Sequence, residues 1–446
     1  MDIRKFYKSF FSLYFLLVFQ NVITLSVNLA DNIMLGAYSE ASLSGVTAVN
    51  QIQFIFQQML GAVGEGIVML GSQYWGQKNP AAVKKVSAIA MRFALGIAVL
   101  LFTVVSLFPY QVLGLFTNEQ AIVSEGVSYL RIIRFTYLFF AMTMILLATM
   151  RTVQVAKIAF WLSVSTLIIN CCINYVLIYG RFGAPRMGAA GAAVGTLVAR
   201  IVELGIVLWF VLKKDTRLHI RIADYLRIDM LLLKDYVRIT IPMFVVSSLW
   251  GFNTALQTLI LGRMTARAIA ANSVASNLFL MVKSMAVGAS ATASVLIGKA
   301  VGEGDVAIVK AYAKRLQVMF ACIGLFSGVL LFFLRVPVLS LYDISEETRQ
   351  MANTFLLILC VVCATMSYQM PTNTGIIRGG GDSAYVVKLD LISIWGIVIP
   401  LSFIMAFIVQ APPAVVVICL NLDQMFKCIP AFIKANYGNW IKKLTR

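Results

Sequence analysis

The chain has 446 residues, of which 60% are hydrophobic and 13% are charged. A soluble domain carries roughly twice that charged fraction, so the composition excludes a soluble protein and predicts a polytopic membrane protein. The formal net charge of +18 does not indicate nucleic-acid binding, because the basic residues are concentrated in particular loops between apolar runs.

Twelve apolar stretches are long enough to cross a bilayer as helices, which takes about 20 residues each. In chain order they lie at 12–36, 47–73, 86–108, 129–149, 157–180, 188–212, 238–261, 274–296, 314–335, 353–373, 386–408 and 412–433. We therefore predict an all-α fold with an N-terminal six-helix lobe at 1–212, a basic linker at 213–237 and a C-terminal six-helix lobe at 238–446.

Lysine and arginine are distributed unequally between the loops, with 25 on one side of the membrane and 6 on the other. The positive-inside rule then places both termini in the cytoplasm and predicts a multi-pass protein of the plasma (inner) membrane. The basic loops are also expected to contact anionic membrane lipid.

The two halves of the sequence are related by an internal repeat. Residues 28–85 align with residues 254–311 at a constant offset of 226, which brings Gly76 onto Gly302. Because each half holds six spans, an even number, the two lobes should have the same orientation and be related by a pseudo-twofold axis along the membrane normal. We expect the functional site where the two lobes face each other.

Asp31 is an acid within the first apolar run, about a turn and a half before Gly36. An ionised carboxylate at the centre of a bilayer costs about 2.5–3.5 kcal/mol on insertion scales, so it persists where it faces water or a partner. Such a group can take up a proton or Na+ and transmit that binding to the surrounding helices. The alternative is an acid that only reaches the outer interface.

Other charges also lie within the spans. Arg200 and Glu203, three residues apart in the sixth span, are expected to pair with each other. Glu65 and Lys283 are mid-span charges that have no oppositely charged neighbour in the sequence. The only histidine, His219, lies in the basic linker, which argues against a His-rich metal site or a Ser-His-Asp triad in the bilayer.

Four motifs stand in a fixed order along the chain. They are Asp31–Gly36 in the first span, Gly71–Gly76 after the second span with its repeat Gly298–Asp305, Gly188–Ala193 at the start of the sixth span, and Arg378–Asp382 after the tenth span. With these motifs at these spacings, the sequence resembles the multidrug and toxic compound extrusion (MATE) family over nearly its whole length. The resemblance implies a V-shaped pair of six-helix lobes around a central cleft. It also implies export of amphipathic, often cationic compounds, driven by an H+ or Na+ gradient.

The resemblance also implies a cation-coupling site. In one branch of the family, the counterpart of Asp31 works with an Asn and an Asp in helix 5 and a Thr in helix 6. The matching residues here are Asn170, Asn174 and Thr196, so Asn174 replaces the second acid and Asp31 is the only titratable member. The alternative is that Asn170 and Asn174 only form hydrogen bonds between helices.

The C-terminal lobe departs further from the family pattern. The Na+-linked branch carries a Glu in helix 7 and an Asp in helix 10, whereas residues 240–261 and 353–373 contain no acid here. We therefore do not expect the cation site of that branch in this chain.

The substrate cavity is predicted to include Asn28, Met34, Gln257 and Asp423. Met34 lies three residues after Asp31 and can share its helix face, and Gln257 is the repeat mate of Asp31. Asp423 has an alternative role, an i,i+4 ion pair with Lys427.

We therefore predict a cation-gradient-driven multidrug antiporter that works by alternating access of the two lobes. It would be a monomer whose partners are small organic substrates and lipid, with H+ or Na+ as the coupling ion, no cofactor and no metal other than Na+ at Asp31. One alternative is a flippase for a lipid-linked glycan from the same superfamily, which would need a strongly basic cavity. A polytopic membrane enzyme is a further alternative, and it would need paired carboxylates or a histidine in an interfacial loop.

Overall fold

The computed structural model describes residues 3–116, 119–225, 229–264, 266–340 and 345–445. Within these ranges the chain is almost entirely helical, and its only β-type pairing is an isolated bridge between Gly381 and Ile441. The all-α polytopic class predicted from the sequence is confirmed by the length and apolar character of the helices.

Twelve long helical segments follow one another along the described chain. They are α1 (Ile3–Tyr38), α2 (Glu40–Gly76), α3 (Pro80–Leu107), α4 (Gln120–Ile133 and Thr136–Thr152, bent by 54°), α5 (Lys157–Tyr179), α6 (Ala189–Lys214), α7 (Met230–Met264), α8 (Ala266–Glu303), α9 (Val306–Leu339), α10 (Glu346–Ile377), α11 (Ser383–Ile408) and α12 (Pro413–Leu420 and Leu422–Tyr437, bent by 44°). Nine described helices are long and apolar enough to span a membrane, and eleven if each bent pair counts as one span. The remaining expected span, 238–261, lies within the 35 residues of α7.

The helix starts reflect the internal repeat. Asn79 caps α3 by accepting a hydrogen bond from the Ala82 amide, and Pro80 takes the first helical position, where its missing N–H costs nothing. At an offset of 226, Asp305 caps α9 by accepting hydrogen bonds from the amides of Ala307 and Ile308. The two halves therefore start equivalent helices with the same device.

Helix α10 changes its hydrogen-bonding pattern near its end. It becomes a π-helix from Pro371 to Ile377, and the Arg378 amide donates to the Asn373 carbonyl, five residues back. Proline cannot donate the regular i to i−4 bond, which explains a wider turn at this position. Helix α1 continues without a break from Ile3 to Tyr38.

The chain divides into two compact units. We call residues 19–71 and 79–240 the N-terminal unit, and residues 1–18, 72–78 and 241–446 the C-terminal unit. Helices α1 and α2 each contribute to both units. The core of the C-terminal unit joins α8, α10 and α12 through buried side chains such as Val282, Phe355 and Val416. The division at 212/213 and 237/238 stays a prediction.

The first part of the basic linker packs on α3 in the N-terminal unit. Lys84 forms an ion pair with Asp224 at 3.3 Å, and the Tyr225 and Ser87 hydroxyls are 2.9 Å apart. Slight burial acts to raise the pKa of Asp224, but hydrogen bonds from the Arg221 amide and Lys84 outweigh it and hold that pKa below its usual value. This stretch of the linker is thus attached to the helices by specific contacts.

Candidate functional site

The four predicted cation-coupling residues meet in the N-terminal unit as a chain of hydrogen bonds. The Asn174 amide nitrogen donates to Asp31 Oδ1 at 2.6 Å and to Asn170 Oδ1 at 3.2 Å. The Asn170 amide nitrogen donates to Thr196 Oγ1 at 3.1 Å. Helices α1, α5 and α6 are therefore connected through one polar cluster.

Local helix geometry explains how α5 and α6 form this cluster. Asn170 and Asn174 are one turn apart, so they project from the same face of α5, and both are buried. Opposite them, Gly195 on α6 has no side chain, and a Cβ at this position would overlap Asn174 Oδ1. Gly195 thus makes room for the Asn174 amide. The sequence offered only a weak signal for this role, the run of small residues in α6.

The Asn174 amide has one unused hydrogen-bonding atom. Its Oδ1 is buried and has no hydrogen-bond partner among the described residues. A buried acceptor without a partner is costly and needs an explanation. The nitrogen of the same amide contacts Asp31 and Asn170, and hard cations favour the carboxylate, amide and hydroxyl oxygens that this cluster contains. Within the described residues no group of three or more His, Cys, Asp or Glu side chains could hold a metal ion.

A second polar group lies next to this cluster in the same unit. Arg200 pairs with Glu203 at 2.6 Å, as the sequence predicted, and its guanidinium stacks 4.6 Å from the Phe140 ring centroid. Arg200 also acts electrostatically on Asp31. The arginine therefore connects the acid of the cluster with a small cavity that is lined by Thr24, Val27, Asn28, Gln57, Ser163, Thr166, Arg200 and Glu203.

Of the predicted substrate-cavity residues, two lie in this unit. Asn28 is exposed and lines the cavity beside Arg200 and Glu203. Met34 is half-buried, and its carbonyl accepts a hydrogen bond of 2.8 Å from the Tyr179 hydroxyl, which fixes α1 to α5 beyond Asp31. Tyr179 is a further contact residue that the sequence did not single out.

The other two lie in the C-terminal unit. Gln257 is half-buried on α7, and none of the hydrogen bonds between described side chains involves it. Asp423 is 4% exposed and pairs with Lys427 at 3.0 Å, which confirms the ion pair considered for it. Lys427 also pairs with Asp390 at 2.8 Å. Whether these positions bind substrate stays a prediction.

The mid-span acid Glu65 has a partner that the sequence did not indicate. Arg151, at the end of α4, lies 2.7 Å from the Glu65 carboxylate on α2. The residues are 86 positions apart in the sequence, so only the packing of α2 against α4 brings them together.

Known proteins resemble this chain over nearly its full length. The MatE family model matches residues 17–176 and 242–404. The probable multidrug resistance protein NorM of Thermotoga maritima is 23% identical over 430 residues, covering 96% of this chain and 92% of that protein. The uncharacterized transporter YisQ of Bacillus subtilis is 21% identical over 416 residues, covering 93% and 90%.

Solved structures share the fold. The Vibrio cholerae MATE transporter VcmN in the bent form superposes with a TM-score of 0.84 at 15% identity, covering 98% of this chain and 97% of that one. A MOP superfamily transporter from Pyrococcus furiosus superposes with a TM-score of 0.86 at 16% identity, covering 96% and 94%. MATE transporter structures have twelve helices in two lobes, which confirms the predicted fold class. Because the MatE model matches more than half of the sequence, this chain belongs to the MatE family, whose members are membrane transporters and not enzymes.

Proposed function

We propose that the protein is a secondary active exporter of amphipathic organic cations, driven by a gradient of H+ or Na+. It works as a monomer in the plasma membrane with both termini in the cytoplasm, and it uses no cofactor other than the coupling ion. The family membership and the loop count of 25 against 6 basic residues support this proposal. Small organic substrates and membrane lipid are its partners.

The observation that carries the proposal is the 2.6 Å hydrogen bond from Asn174 to Asp31. Asp31 is the only acid in the cluster, and an acid inside a membrane is a functional candidate by default. A hydrogen bond to an ionised carboxylate is roughly twice as strong as one between neutral groups. When H+ or Na+ neutralises Asp31, the connection between α1 and α5 weakens or rearranges.

The cluster offers ligands for either coupling ion. A proton would bind to the Asp31 carboxylate, since Asn170, Asn174 and Thr196 cannot titrate in the working range. Sodium would use the carboxylate together with the side-chain oxygens of Asn170 and Thr196.

Coupling follows if the ion and the substrate favour different conformations of the protein. An ion can shift a conformational equilibrium only by its difference in affinity for the two states. The Asp31 cluster is adjacent to the cavity lined by Asn28, Arg200 and Glu203. An organic cation in that cavity would compete with the coupling ion for the same negative field. Return of the ion would then expel the substrate, as alternating access of the two lobes requires.

The test is efflux of a fluorescent organic cation from membrane vesicles, with the pH and Na+ gradients varied independently. Wild type should export the cation, whereas Asp31→Asn should not. The gradient whose removal stops wild-type export identifies the ion. Asn32→Ala is the matched control, because Asn32 is the exposed neighbour of Asp31. Full export by Asp31→Asn would refute the coupling role. Absence of wild-type export under every gradient would refute the exporter and favour the flippase.

A further inference from the structure

Lys283 lies near the middle of α8, and none of the described carboxylates forms an ion pair with it. No Asp or Glu oxygen of the described residues lies within 4.0 Å of its ammonium group, whereas the buried Lys427 has two such partners. Instead, the Lys283 ammonium is 4.9 Å from the ring centroid of Trp250 on α7. Both side chains are partly buried.

The titratable groups around Lys283 leave its charge largely uncompensated. The residues that act on it electrostatically are Asp423 on α12 and Cys363 on α10. Asp423 is already bound by Lys427 at 3.0 Å and by the Gln424 amide at 2.7 Å. Asp390 on α11 is bound by the same lysine. The charged residues of α9 lie toward its ends, at Lys310, Lys314, Arg315 and Arg335.

Residues 240–261 of α7 and 353–373 of α10 contain no acid. The charged group that the structure places beside Trp250 is therefore a lysine and not an acid. Tryptophan is the best aromatic partner for a cation, and the preference extends to ligand cations such as quaternary ammonium groups. A lysine can also lose its proton in a membrane interior, which an arginine cannot.

We propose that the face of Trp250 is a second cation site, occupied in turn by the protonated Lys283 and by the organic cation. When the organic cation binds over Trp250, Lys283 releases one proton to water and becomes a neutral amine. The site then holds the same charge before and after the exchange. When a proton returns to Lys283, its ammonium group displaces the organic cation.

This inference rests on the proposed export of organic cations and deepens it. It locates where the charge of the substrate is recognised in the C-terminal unit and adds a proton-exchanging group that is distinct from Asp31. The ligand class is an aryl or quaternary onium ion. A cation of this kind has no hydrogen to donate and gains most from an aromatic face.

The experiment measures binding of tetraphenylphosphonium to the purified full-length protein in lipid nanodiscs between pH 6 and 9. Wild type should bind more tightly as the pH rises, because Lys283 loses its proton more easily. Lys283→Arg keeps a permanent charge and should weaken binding at least tenfold at every pH. Lys283→Gln should bind at least as tightly as wild type, with a flatter pH profile, and Trp250→Leu should weaken binding at least tenfold.

Proton release in weakly buffered solution gives a direct readout. The Asp31→Asn protein should still release a proton when tetraphenylphosphonium binds, whereas Asp31→Asn combined with Lys283→Gln should not. Lys299→Gln and Lys299→Arg are the matched controls, because Lys299 lies on the same helix, is 36% exposed and pairs only weakly with Glu303 at 3.8 Å. If Lys283→Arg does not fold, the number of protons that the Lys283→Gln proteins release on binding tetraphenylphosphonium tests the inference instead.

If the Lys283 variants bind the cation and release protons as wild type does, this inference is overturned. The proposed export then stands by itself, provided that Asp31→Asn still abolishes export. If wild type neither binds nor exports the cation, the proposed substrate class fails and takes this inference with it.

Discussion

Gly76 at the end of α2 and Gly302 near the end of α8 are repeat mates that lie against each other in the C-terminal unit. A Cβ on Gly76 would lie 3.0 Å from the Gly302 Cα and would overlap the Lys299 carbonyl oxygen. A Cβ on Gly302 would overlap the Gln73 carbonyl oxygen. The crossing of these two helix ends therefore depends on glycine at both positions.

Substitution at this crossing should destabilise the protein. Gly302→Ala forces the two backbones apart, and overpacking of a tight contact typically costs about 1–3 kcal/mol. We expect a lower free energy of unfolding in a denaturant titration in detergent. Gly96→Ala on α3 is the control, because no atom lies within 4 Å of a Cβ there and alanine favours a helix over glycine. Equal stability of the two variants would contradict the tight crossing.

Gly195→Ala tests the geometry of the coupling cluster without changing a polar residue. The new methyl group would push the Asn174 amide away from Asp31. If that hydrogen bond is worth about 1.4 kcal/mol, the apparent affinity for the coupling ion changes roughly tenfold. Gly205→Ala on the same helix has open space around it and should behave as wild type in the efflux assay. An unchanged ion dependence in Gly195→Ala would show that the Asn174 contact is not needed.

Asn174→Asp would install the second acid that one branch of the family carries. The donor to Asp31 at 2.6 Å would become a second carboxylate, so the pair would have to hold a proton or a cation between its oxygens. We expect the apparent affinity for H+ or Na+ to rise by roughly tenfold or more. Efflux measured as a function of the H+ or Na+ concentration gives this apparent affinity as its midpoint. An unshifted midpoint would mean that Asn174 does not contact the bound ion.

Asp382 in the loop after α10 should make stability depend on pH. It is 5% exposed and pairs with Lys442 at 2.7 Å and Lys434 at 2.9 Å, both near the C-terminal end. Burial acts to raise the pKa of Asp382, but the two lysines outweigh it and hold that pKa below its usual value of 3.8. The stabilisation from these two ion pairs is therefore complete above pH 3.8. It is lost as the pH falls through the lower pKa that Asp382 has in the folded protein.

Asp382→Asn should accordingly lower the free energy of unfolding at pH 7 by about 1–2 kcal/mol, because the lysines remain partly exposed. The difference from wild type should shrink toward pH 3. A constant difference at both pH values would show that the carboxylate charge is not responsible. Lys443→Gln, which alters a neighbouring exposed lysine of the tail, is the control.

The sequence by itself determined the class of protein, the helices and the four residues that meet in the hydrogen-bonded cluster of Asp31. Apolar runs of about 20 residues define membrane helices because hydrocarbon offers no hydrogen-bond partners to an open backbone. The helix caps at Asn79 and Asp305 are hydrogen bonds to amides within three residues in the sequence. Such local interactions can be predicted from the sequence of each repeat. The α5 and α6 members of the cluster were named from a family motif, and the Arg200–Glu203 pair follows from helix periodicity.

Only the tertiary structure decided which partner each isolated charge takes. Arg151 reaches Glu65, Lys427 reaches Asp390 besides its neighbour in the sequence, and Lys283 lies beside Trp250. Most of these contacts join residues on different helices, far apart in sequence. Hydrophobic periodicity specifies that a helix crosses the membrane but gives little information about its rotation or its neighbours, because lipid and protein interiors are similarly apolar. Close packing at small residues such as Gly195 and Gly302 fixes those choices.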